Sequence, residues 1–424
     1  MEMNSLSASE QSSSSRSLVS TLMSHLLNHH NLYEQGLLRK TMKFAHLGDC
    51  HLGGWRQPQL NELNFKAFQQ ALDTCIKERV DFILIAGDLF DSPYPPIDTL
   101  KDTFNCFKKI KDAKIPVFLI AGSHDYSISG KTFLDVLEQA GFCQNVARFE
   151  QHGDDILLNP TVYQQAAIYG YPGKKSAMEV DDLERIKLQD TPGLFKILML
   201  HTAIKDAVPT LPIKSVDQDK LPTVDYLALS HLHINYQKPG RAYSGPIFPT
   251  DLAELEELQC GSFYIIENGM PKRQEIKLNE ICSISLEISN ALSATELILE
   301  EVRRHNLREK ITIIKCHGIL QQGTAADINF PLVEKECRKQ GALVVLKSTT
   351  KLHMHEPTLT LNLANAEDIE VQILRQFETE NPGPFNTHAP GLLRALEGEK
   401  LDDETSAIFQ DRLLAECKKV LNLK

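Results

Sequence analysis

KFAHLGDCHLG, residues 43–53, joins an apolar run to the pair Asp49 and His51 that directly follows it. The run has the length and the composition of a buried β-strand. Residues i and i+2 that leave a strand point to the same side, so the side chains of Asp49 and His51 can reach a single ion together. This stretch therefore predicts a strand whose carboxyl end carries two metal ligands.

Four later apolar runs are followed in the same way by Asp or His. The runs at residues 81–86, 116–121, 196–200 and 226–229 lead into Gly87-Asp88-Leu89-Phe90-Asp91, Gly122-Ser123-His124-Asp125, His201 and Ser230-His231-Leu232-His233. Taken alone, an Asp after a strand is usually a turn residue. Together the five stretches indicate one site, because the carboxyl ends of strands form the edge at which α/β sheets bind ligands.

The predicted ligands are carboxylates, imidazoles and one hydroxyl: Asp49, His51, Asp88, Ser123, His124, His201, His231 and His233. A set without thiolate favours Mn²⁺, Fe²⁺ or Zn²⁺ over a structural zinc site of the cysteine type. Because so many ligands exceed the need of one ion, we expect two ions roughly 3.5–4 Å apart that share a carboxylate. Such a pair activates a water for attack on a phosphoester, so the residues predict a two-metal phosphoesterase.

The chain as a whole alternates apolar runs with helical patterns, which is typical of an α/β layered domain. Helices are predicted at residues 61–79, 97–113 and 131–140, with a further strand at 166–169. After Asn268-Gly269 a βαβαβ unit follows, with strands at 283–288, 311–316 and 343–347 and helices at 293–305 and 331–340. Helical segments are predicted in the tail from Ala366, the last at residues 404–423.

A chain of 424 residues is too long for one ordinary domain. We predict a catalytic domain at residues 42–268, a small α/β domain at 269–350 and a helical C-terminal tail at 351–424. The serine-rich residues 1–41 cannot bury enough apolar surface to become ordered, so they are expected to be a disordered extension or the product of a mis-assigned start before Met42.

Composition sets limits on partners and on the cell compartment. The net charge of −11 argues against a large basic surface, so nucleic acid would have to bind at local patches or through partners. Nine cysteines without a CxxC pair indicate reduced thiols in a cytoplasmic protein rather than a disulfide framework. The sequence contains no run of roughly 18 apolar residues, the length that a membrane span needs, so no span is predicted.

The spaced motifs resemble those of the calcineurin-like metallophosphoesterases, whose pattern is D-x-H, G-D, G-N-H-[DE], H and G-H-x-H. The stretches 49–53 and 87–91, with the following Pro95-Pro96, narrow the resemblance to the SbcD-type nuclease subunits of DNA double-strand-break repair complexes. Over roughly residues 43–243, the resemblance implies a layered α/β sandwich that hydrolyses DNA phosphodiesters with two divalent metal ions. We expect these ions to be Mn²⁺, with Mg²⁺, Fe²⁺ or Zn²⁺ as alternatives. The resemblance further implies a small α/β cap domain, a tail that docks an SMC-like ATPase, and a homodimer.

Carried over residue by residue, the resemblance implies two ions with separate ligands and one shared carboxylate. The ligands are Asp49, His51 and His233 for one ion, His201 and His231 for the other, and Asp88 between them. His124 takes the part of the catalytic His that stabilises the transition state or protonates the leaving oxygen, and Asp125 would orient its ring.

Two residues depart from the family pattern. Ser123 stands where the family usually has Asn, and a hydroxyl is a poorer neutral ligand than an amide oxygen. We therefore expect the second ion to bind more weakly here, or water to replace this ligand. Ser230 stands where Gly is usual and is expected to change a backbone turn more than the chemistry. His46, inside the first strand, is expected to be a core residue or a support for the ligands.

Substrate contacts are predicted at two places near the ligand motifs. Trp55 and Arg56 follow the first motif and could line a substrate groove, and Lys174 and Lys175 follow a core strand and could contact phosphate. The acidic residues 251–257 would repel a DNA backbone, so we expect them to lie away from the groove.

Three functions remain open on the residues alone. The leading one is a DNA nuclease, and the alternatives are a small-molecule phosphodiesterase and a DNA-binding scaffold that has lost one ion through Ser123. The βαβαβ unit and the helical tail favour the nuclease over the small-molecule enzyme, and the retained His124 argues against the scaffold. The predicted helix at residues 97–113 has an apolar stripe that includes Phe104 and Phe107. This stripe could pack on the sheet or form a dimer interface.

Overall fold

The computed structural model describes residues 42–127 and 132–354, and in the C-terminal part residues 374, 377–379, 383, 386–401, 404 and 406–423. The predicted extension at residues 1–41, the start of the tail and the predicted helix start at Lys131 lie outside the described residues. The described residues up to Gly318, with Gln322–Leu352, form one compact unit, and Ile319–Gln321 with those from His353 onward form another.

The strands alternate with helices along the chain, as the apolar patterns predict. The strands are β1 Lys43–Leu47, β2 Phe82–Ile85, β3 Val117–Leu119, β4 Gln144–Asn145, β5 Phe149–His152, β6 Asp155–Leu158, β7 Thr161–Tyr163, β8 Ala166–Tyr171, β9 Ile186–Leu188, β10 Phe195–His201, β11 Tyr226–Ser230, β12 Tyr236–Lys238, β13 Arg241–Tyr243, β14 Gly261–Glu267, β15 Met270–Ile276, β16 Ile281–Glu287, β17 Ile311–Leu320 and β18 Val344–Met354. The helices are α1 Pro58–Glu78, α2 Ile97–Asp112, α3 Phe133–Gln139, α4 Glu179–Leu183, α5 Leu252–Leu258, α6 Ala291–Arg303, α7 Phe330–Lys339, α8 Ala389–Leu396 and α9 Ser406–Val420.

Two sheets of six described strands each form the centre of the larger unit. Their orders are β15-β14-β1-β2-β3-β4 and β12-β13-β11-β10-β8-β7. Strands β1 to β4 run parallel to one another, as do β8, β10, β11 and β13. The first three runs with ligand motifs therefore belong to one sheet, and the last two to the other.

One hydrophobic core lies between the two sheets, and another lies on the outer face of the first sheet. Phe44 and Leu84 of the first sheet pack with Ile168 and Ile197 of the second in one buried cluster. Alternate residues such as Leu47 belong to a separate cluster on the outer face, which includes residues of α1 and α2. Because successive side chains of a strand point to opposite faces, strands buried on both faces read as continuous apolar runs. The predicted layered α/β sandwich is confirmed.

His46 lies between the two sheets, as the alternation requires. Its side chain is fully buried, and its Nδ1 lies 3.0 Å from the hydroxyl oxygen of Tyr226. Burial lowers the pKa of His46 to about 3 despite the nearby Asp49 carboxylate, so its ring is neutral. His46 is thus a core residue, as expected.

A third sheet, in the order β16-β17-β18, carries the βαβαβ unit with α6 and α7. The turn at Asn268 and Gly269, both with positive φ, joins β14 to β15 within the first sheet. That sheet therefore extends past the predicted boundary at residue 268. The division into domains stays a prediction.

The apolar stripe of α2 packs on the core. Phe107 is 2% exposed, and the Phe104 ring contacts the Phe142 ring edge-on with their centroids 5.4 Å apart. By contrast, Ile97 at the start of the helix is 82% exposed. The packing interpretation of the stripe is the one that the structure supports.

In the smaller unit, α8 and α9 pack together: a Cβ built on Gly391 would lie 2.8 Å from Val420 Cγ1. Among the described helices, none is long and apolar enough to cross a membrane. The nine cysteines all lie within the described residues, and all are free thiols.

Candidate metal centre

The turns that follow β1 and β2 hold three predicted ligands in left-handed backbone conformations. Asp49, His51 and Asp88 have φ values of 47°, 43° and 50°. Such conformations cost on the order of 1–3 kcal/mol each and persist only when the surroundings hold them. Here backbone bonds do so: the His51 N–H donates to the Asp88 carbonyl at 3.0 Å, and the Asp49 N–H donates to Gly87 at 3.1 Å. Strain of this kind is typical of functional sites.

Glycines allow the ligand turns to approach each other closely. A Cβ built on Gly122 would lie 2.2 Å from Asp88 Oδ1, and one on Gly87 would lie 2.4 Å from His201 Nδ1. A Cβ on Gly173 would lie 2.5 Å from His201 Cδ2. Two turns of the first sheet and one of the second are therefore packed directly on predicted ligands.

We expect Gly122→Ala to destabilise the protein by about 1–3 kcal/mol, because the added methyl group must displace the Asp88 carboxylate or the backbone. The same displacement should weaken divalent-metal binding. Urea unfolding and calorimetric metal titration measure the two effects. A matched control is Gly398→Ala, whose added Cβ would meet its nearest atom at an ordinary 3.5 Å. If the two variants behaved alike, the close approach at Gly122 would have no energetic weight.

Six predicted ligands come together in the structure. Their ligand atoms form three overlapping groups, each within 4.8 Å: Asp49, His51 and His233; His51, Asp88 and His124; Asp49, Asp88 and His201. His231 lies beside them, its ring centroid 5.0 Å from that of His201, and its backbone N–H donates to both Asp49 carboxylate oxygens at 3.0 Å.

The donor atoms fit divalent cations. The Nε2 atoms of His51 and His233 face each other at 3.2 Å. His201 Nε2 is buried without a well-aligned hydrogen bond, 3.1 Å from Asp88 Oδ2. Nitrogen lone pairs that converge on carboxylates in a buried space are the arrangement that a cation satisfies.

The Asp and His side chains of the centre shift one another's pKa values. Burial raises the pKa of Asp88, but His201, His51 and His124 outweigh it and hold the pKa far below its usual value. Burial lowers the pKa of His201, but Asp88 and Asp49 outweigh it and raise the pKa to about 9. Burial and the neighbouring His201 lower the pKa of His231 to about 4. The carboxylates of the centre thus favour positive charge beside them, as the raised pKa of His201 shows.

Three of the rings are held through Nδ1, which leaves Nε2 free to bind metal. His201 Nδ1 lies 3.1 Å from the Ala86 carbonyl oxygen. His51 Nδ1 lies 3.1 Å from Asp91 Oδ1, and His233 Nδ1 lies 2.6 Å from Glu254 Oε1. Asp91 and Glu254 are functional candidates that the sequence reasoning missed. The motif at residues 87–91 contains a second Asp, and this is the sequence signal that could have identified Asp91.

His124 differs from the other rings because its side chain is 48% exposed. Its Nδ1 bonds the backbone carbonyl of Asp91 at 3.0 Å. Asp125 does not orient it as expected: the Asp125 carboxylate accepts backbone N–H bonds from Leu89, Phe90 and Gly122 at 3.1–3.2 Å. Asp91 therefore takes the orienting position, and Asp125 holds the ligand turns together.

The two serines that depart from the family pattern lie at the centre. Ser123 Oγ is 3.4 Å from Asp88 Oδ2, at the outer edge of hydrogen-bond distance. Ser230 is fully buried at the end of β11, and a Cβ on Gly48 would lie 2.3 Å from its Oγ. Ser230 thus fills the space that the glycine leaves.

The predicted substrate residues have different surroundings. The Trp55 ring is partly buried and donates its N–H to the Pro249 carbonyl at 2.9 Å, whereas Arg56 is exposed. The Lys174 ammonium group bonds Asp182 at 2.6 Å, which leaves it less available for phosphate than the exposed Lys175.

Comparison with known proteins agrees with this geometry. The family that matches is described as calcineurin-like phosphoesterase, over residues 42–235. Among the similar proteins are three that bear the name DNA double-strand break repair protein Mre11. The one from Archaeoglobus fulgidus is 25% identical over 410 residues, covering 88% of this chain and 85% of the relative. The one from Methanococcus maripaludis is 28% identical over 300 residues, covering 65% of this chain and 77% of the relative. The one from Sulfurisphaera tokodaii is 32% identical over 199 residues, covering 45% of this chain and 49% of the relative.

The matched residues include every predicted metal ligand from Asp49 to His233. They also include the strands that deliver those ligands, from both sheets of the sandwich. Over residues 42–235, the chain is similar to the calcineurin-like phosphoesterase family.

Proposed function

We propose that this protein is a divalent-metal-dependent DNA nuclease that acts in double-strand-break repair. The observation that carries the proposal is the set of three overlapping groups of Asp and His ligand atoms, each group within 4.8 Å, which five strand ends deliver. It supports phosphodiester hydrolysis. The relatives named for double-strand-break repair, of which one is matched over 85% of its length, support DNA as the substrate.

The residues divide into metal holders and a catalytic group. Asp49, His51 and His233 would hold one ion, His201 and His231 the other, and Asp88 lies within reach of both groups. Bound ions supply a water of lowered pKa and neutralise charge on the phosphoester oxygens. The exposed His124 ring is the group that would meet substrate and give a proton to the leaving oxygen.

The remaining assignments are proposals as well. Mn²⁺ is the proposed metal, with Mg²⁺, Fe²⁺ and Zn²⁺ as the alternatives that donors of imidazole nitrogen and carboxylate oxygen also suit. We propose the cytoplasm as the compartment, in keeping with the free thiols. The helical tail would dock an SMC-like ATPase, and the chain would form a homodimer. Trp55, Arg56, Lys174 and Lys175 would line the DNA path, with Lys175 the freer phosphate contact.

One assay tests the function directly. Labelled duplex DNA and a generic phosphodiester are incubated with the full chain and Mn²⁺, Mg²⁺ or Zn²⁺, and both products are quantified. We expect metal-dependent DNA cleavage that a chelator abolishes and added metal restores. Hydrolysis of the small ester alone would identify a small-molecule phosphodiesterase, and DNA binding without any turnover would identify a scaffold.

Ser123 is expected to make the two ions unequal. Its hydroxyl contacts the Asp88 carboxylate at 3.4 Å, and a hydroxyl is a weak neutral ligand. Calorimetric titration of wild type with Mn²⁺ should therefore give one tight and one weaker site. Ser123→Asn should tighten the weaker site and leave the other unchanged. Two equally tight sites in wild type would show that the hydroxyl is no handicap.

A further inference from the structure

Helix α5, Leu252–Leu258, connects three parts of the larger unit although it has only seven residues. Its first turn is capped by Asp251, whose carboxylate accepts the Glu254 N–H at 2.9 Å. Leu255 is fully buried in the core cluster on the outer face of the first sheet. The helix is therefore anchored, and the two acidic residues on either side of Leu255 are held in fixed directions.

Glu254 faces the metal centre. Its Oε1 lies 2.6 Å from His233 Nδ1, and its Oε2 accepts bonds from the Thr250 N–H at 2.7 Å and the Thr250 hydroxyl at 2.9 Å. Both carboxylate oxygens are thus occupied. A carboxylate on Nδ1 makes that nitrogen the protonated one and leaves Nε2 as the ligand atom, here 3.2 Å from the Nε2 of His51.

Glu256 instead faces the third sheet, β16-β17-β18, which is called the small sheet below. Its carboxylate binds the Lys315 ammonium group at 2.8 Å and 3.2 Å, and it accepts a hydrogen bond from the Ser283 hydroxyl. Lys315 lies on β17 and Ser283 on β16. One turn of α5 therefore bonds a metal ligand through Glu254 and two strands of the small sheet through Glu256.

We propose that Glu254 is the positioning residue of the metal ligand His233, and that α5 makes metal affinity depend on the attachment of the small sheet. The acidic residues 251–257, which were expected to lie away from the substrate groove, then include a support of the metal centre. The inference rests on the proposed metal centre. The inference adds Glu254 to that centre, together with a coupling between metal affinity and the small sheet through α5.

Direct metal binding to the full chain tests the first part. Glu254→Gln should weaken binding of Mn²⁺ at one site by about 10- to 100-fold in calorimetric titration, the usual effect of losing the partner of a ligand histidine. The matched control is Glu257→Gln on the same helix, which removes the same charge from an exposed side chain. It should bind Mn²⁺ as wild type does. Equal affinities of Glu254→Gln and wild type would overturn the proposal.

A spectroscopic readout separates positioning from general stability. In the metal-free protein, the ¹⁵N shifts of the His233 ring should report a change in the protonation of Nδ1 in Glu254→Gln, but not in Glu257→Gln. Thermal unfolding of the same samples shows whether each variant is folded. Unchanged His233 shifts in a folded Glu254→Gln protein would contradict the positioning role, even if metal binding were weaker.

The coupling to the small sheet is tested at Lys315. Lys315→Met should weaken Mn²⁺ binding several-fold, because α5 loses its contact with β17. The control is Lys310→Met, whose ammonium group pairs with Glu280 at 2.9 Å rather than with α5. If both lysine variants bound Mn²⁺ like wild type, the coupling would be refuted while the role of Glu254 could still hold. A wild-type protein that took up no divalent ion would overturn the proposed function and this inference together.

Discussion

Asp88→Asn is expected to abolish DNA cleavage, with a loss of at least about 1,000-fold in kcat/KM. Asp88 belongs to two of the three ligand groups, as Asp49 and His51 also do, and its groups include His51 of one proposed ion and His201 of the other. A neutral amide cannot offset the charge of two cations, and metal ions supply several kcal/mol of charge stabilisation in the transition state. Since about 1.36 kcal/mol corresponds to tenfold in rate, a loss of this size follows. Initial rates on labelled duplex DNA at saturating Mn²⁺ measure it.

Metal titration of the same variant should show both ions weakened, not one alone. The control is Asp102→Asn, an exposed residue of α2 that changes the same functional group outside the centre. It should keep wild-type rates and affinities. An Asp88→Asn protein that lost only one ion would mean that Asp88 binds a single metal and does not bridge.

The ligand set could be predicted from sequence because of where the residues stand along the chain. Asp49, Asp88 and His201 each follow a run buried on both faces, and strand ends are where α/β sheets bind ligands. The runs also predicted the strands, because a strand covered on both sides has apolar residues throughout. What the pattern could not give is the distribution of these strands over two sheets.

The contacts that support the ligands were harder to predict. Glu254 stands in an acidic run that looks like a solvated helix, and its contact with His233 arises from tertiary packing alone. The family resemblance implied that Asp125 orients the neighbouring His124, but the Asp125 side chain turns towards three backbone N–H groups. Neighbours in sequence after a strand often point to opposite sides, so adjacency is a poor guide to hydrogen bonds.

His124→Gln is expected to lower kcat on DNA by about 100- to 10,000-fold, the usual contribution of a general acid, and to leave Mn²⁺ affinity unchanged. Two readings of His124 compete, because its ring is also within 4.8 Å of His51 and Asp88 ligand atoms. The catalytic reading is favoured by exposure and orientation. The side chain is 48% exposed, and its Nδ1 is engaged by the Asp91 carbonyl, so Nε2 remains for substrate.

The leaving group distinguishes the two readings most sharply. A phosphodiester with a nitrophenol leaving group needs little protonation, so His124→Gln should lose much less activity on it than on DNA. A metal ligand would matter for both substrates alike and would weaken Mn²⁺ binding, as Asp88→Asn does. His152→Gln, at a side chain that is 58% exposed, is the control for loss of a surface imidazole. Equal losses on both substrates, with weaker metal binding, would make His124 a metal ligand and not the proton donor.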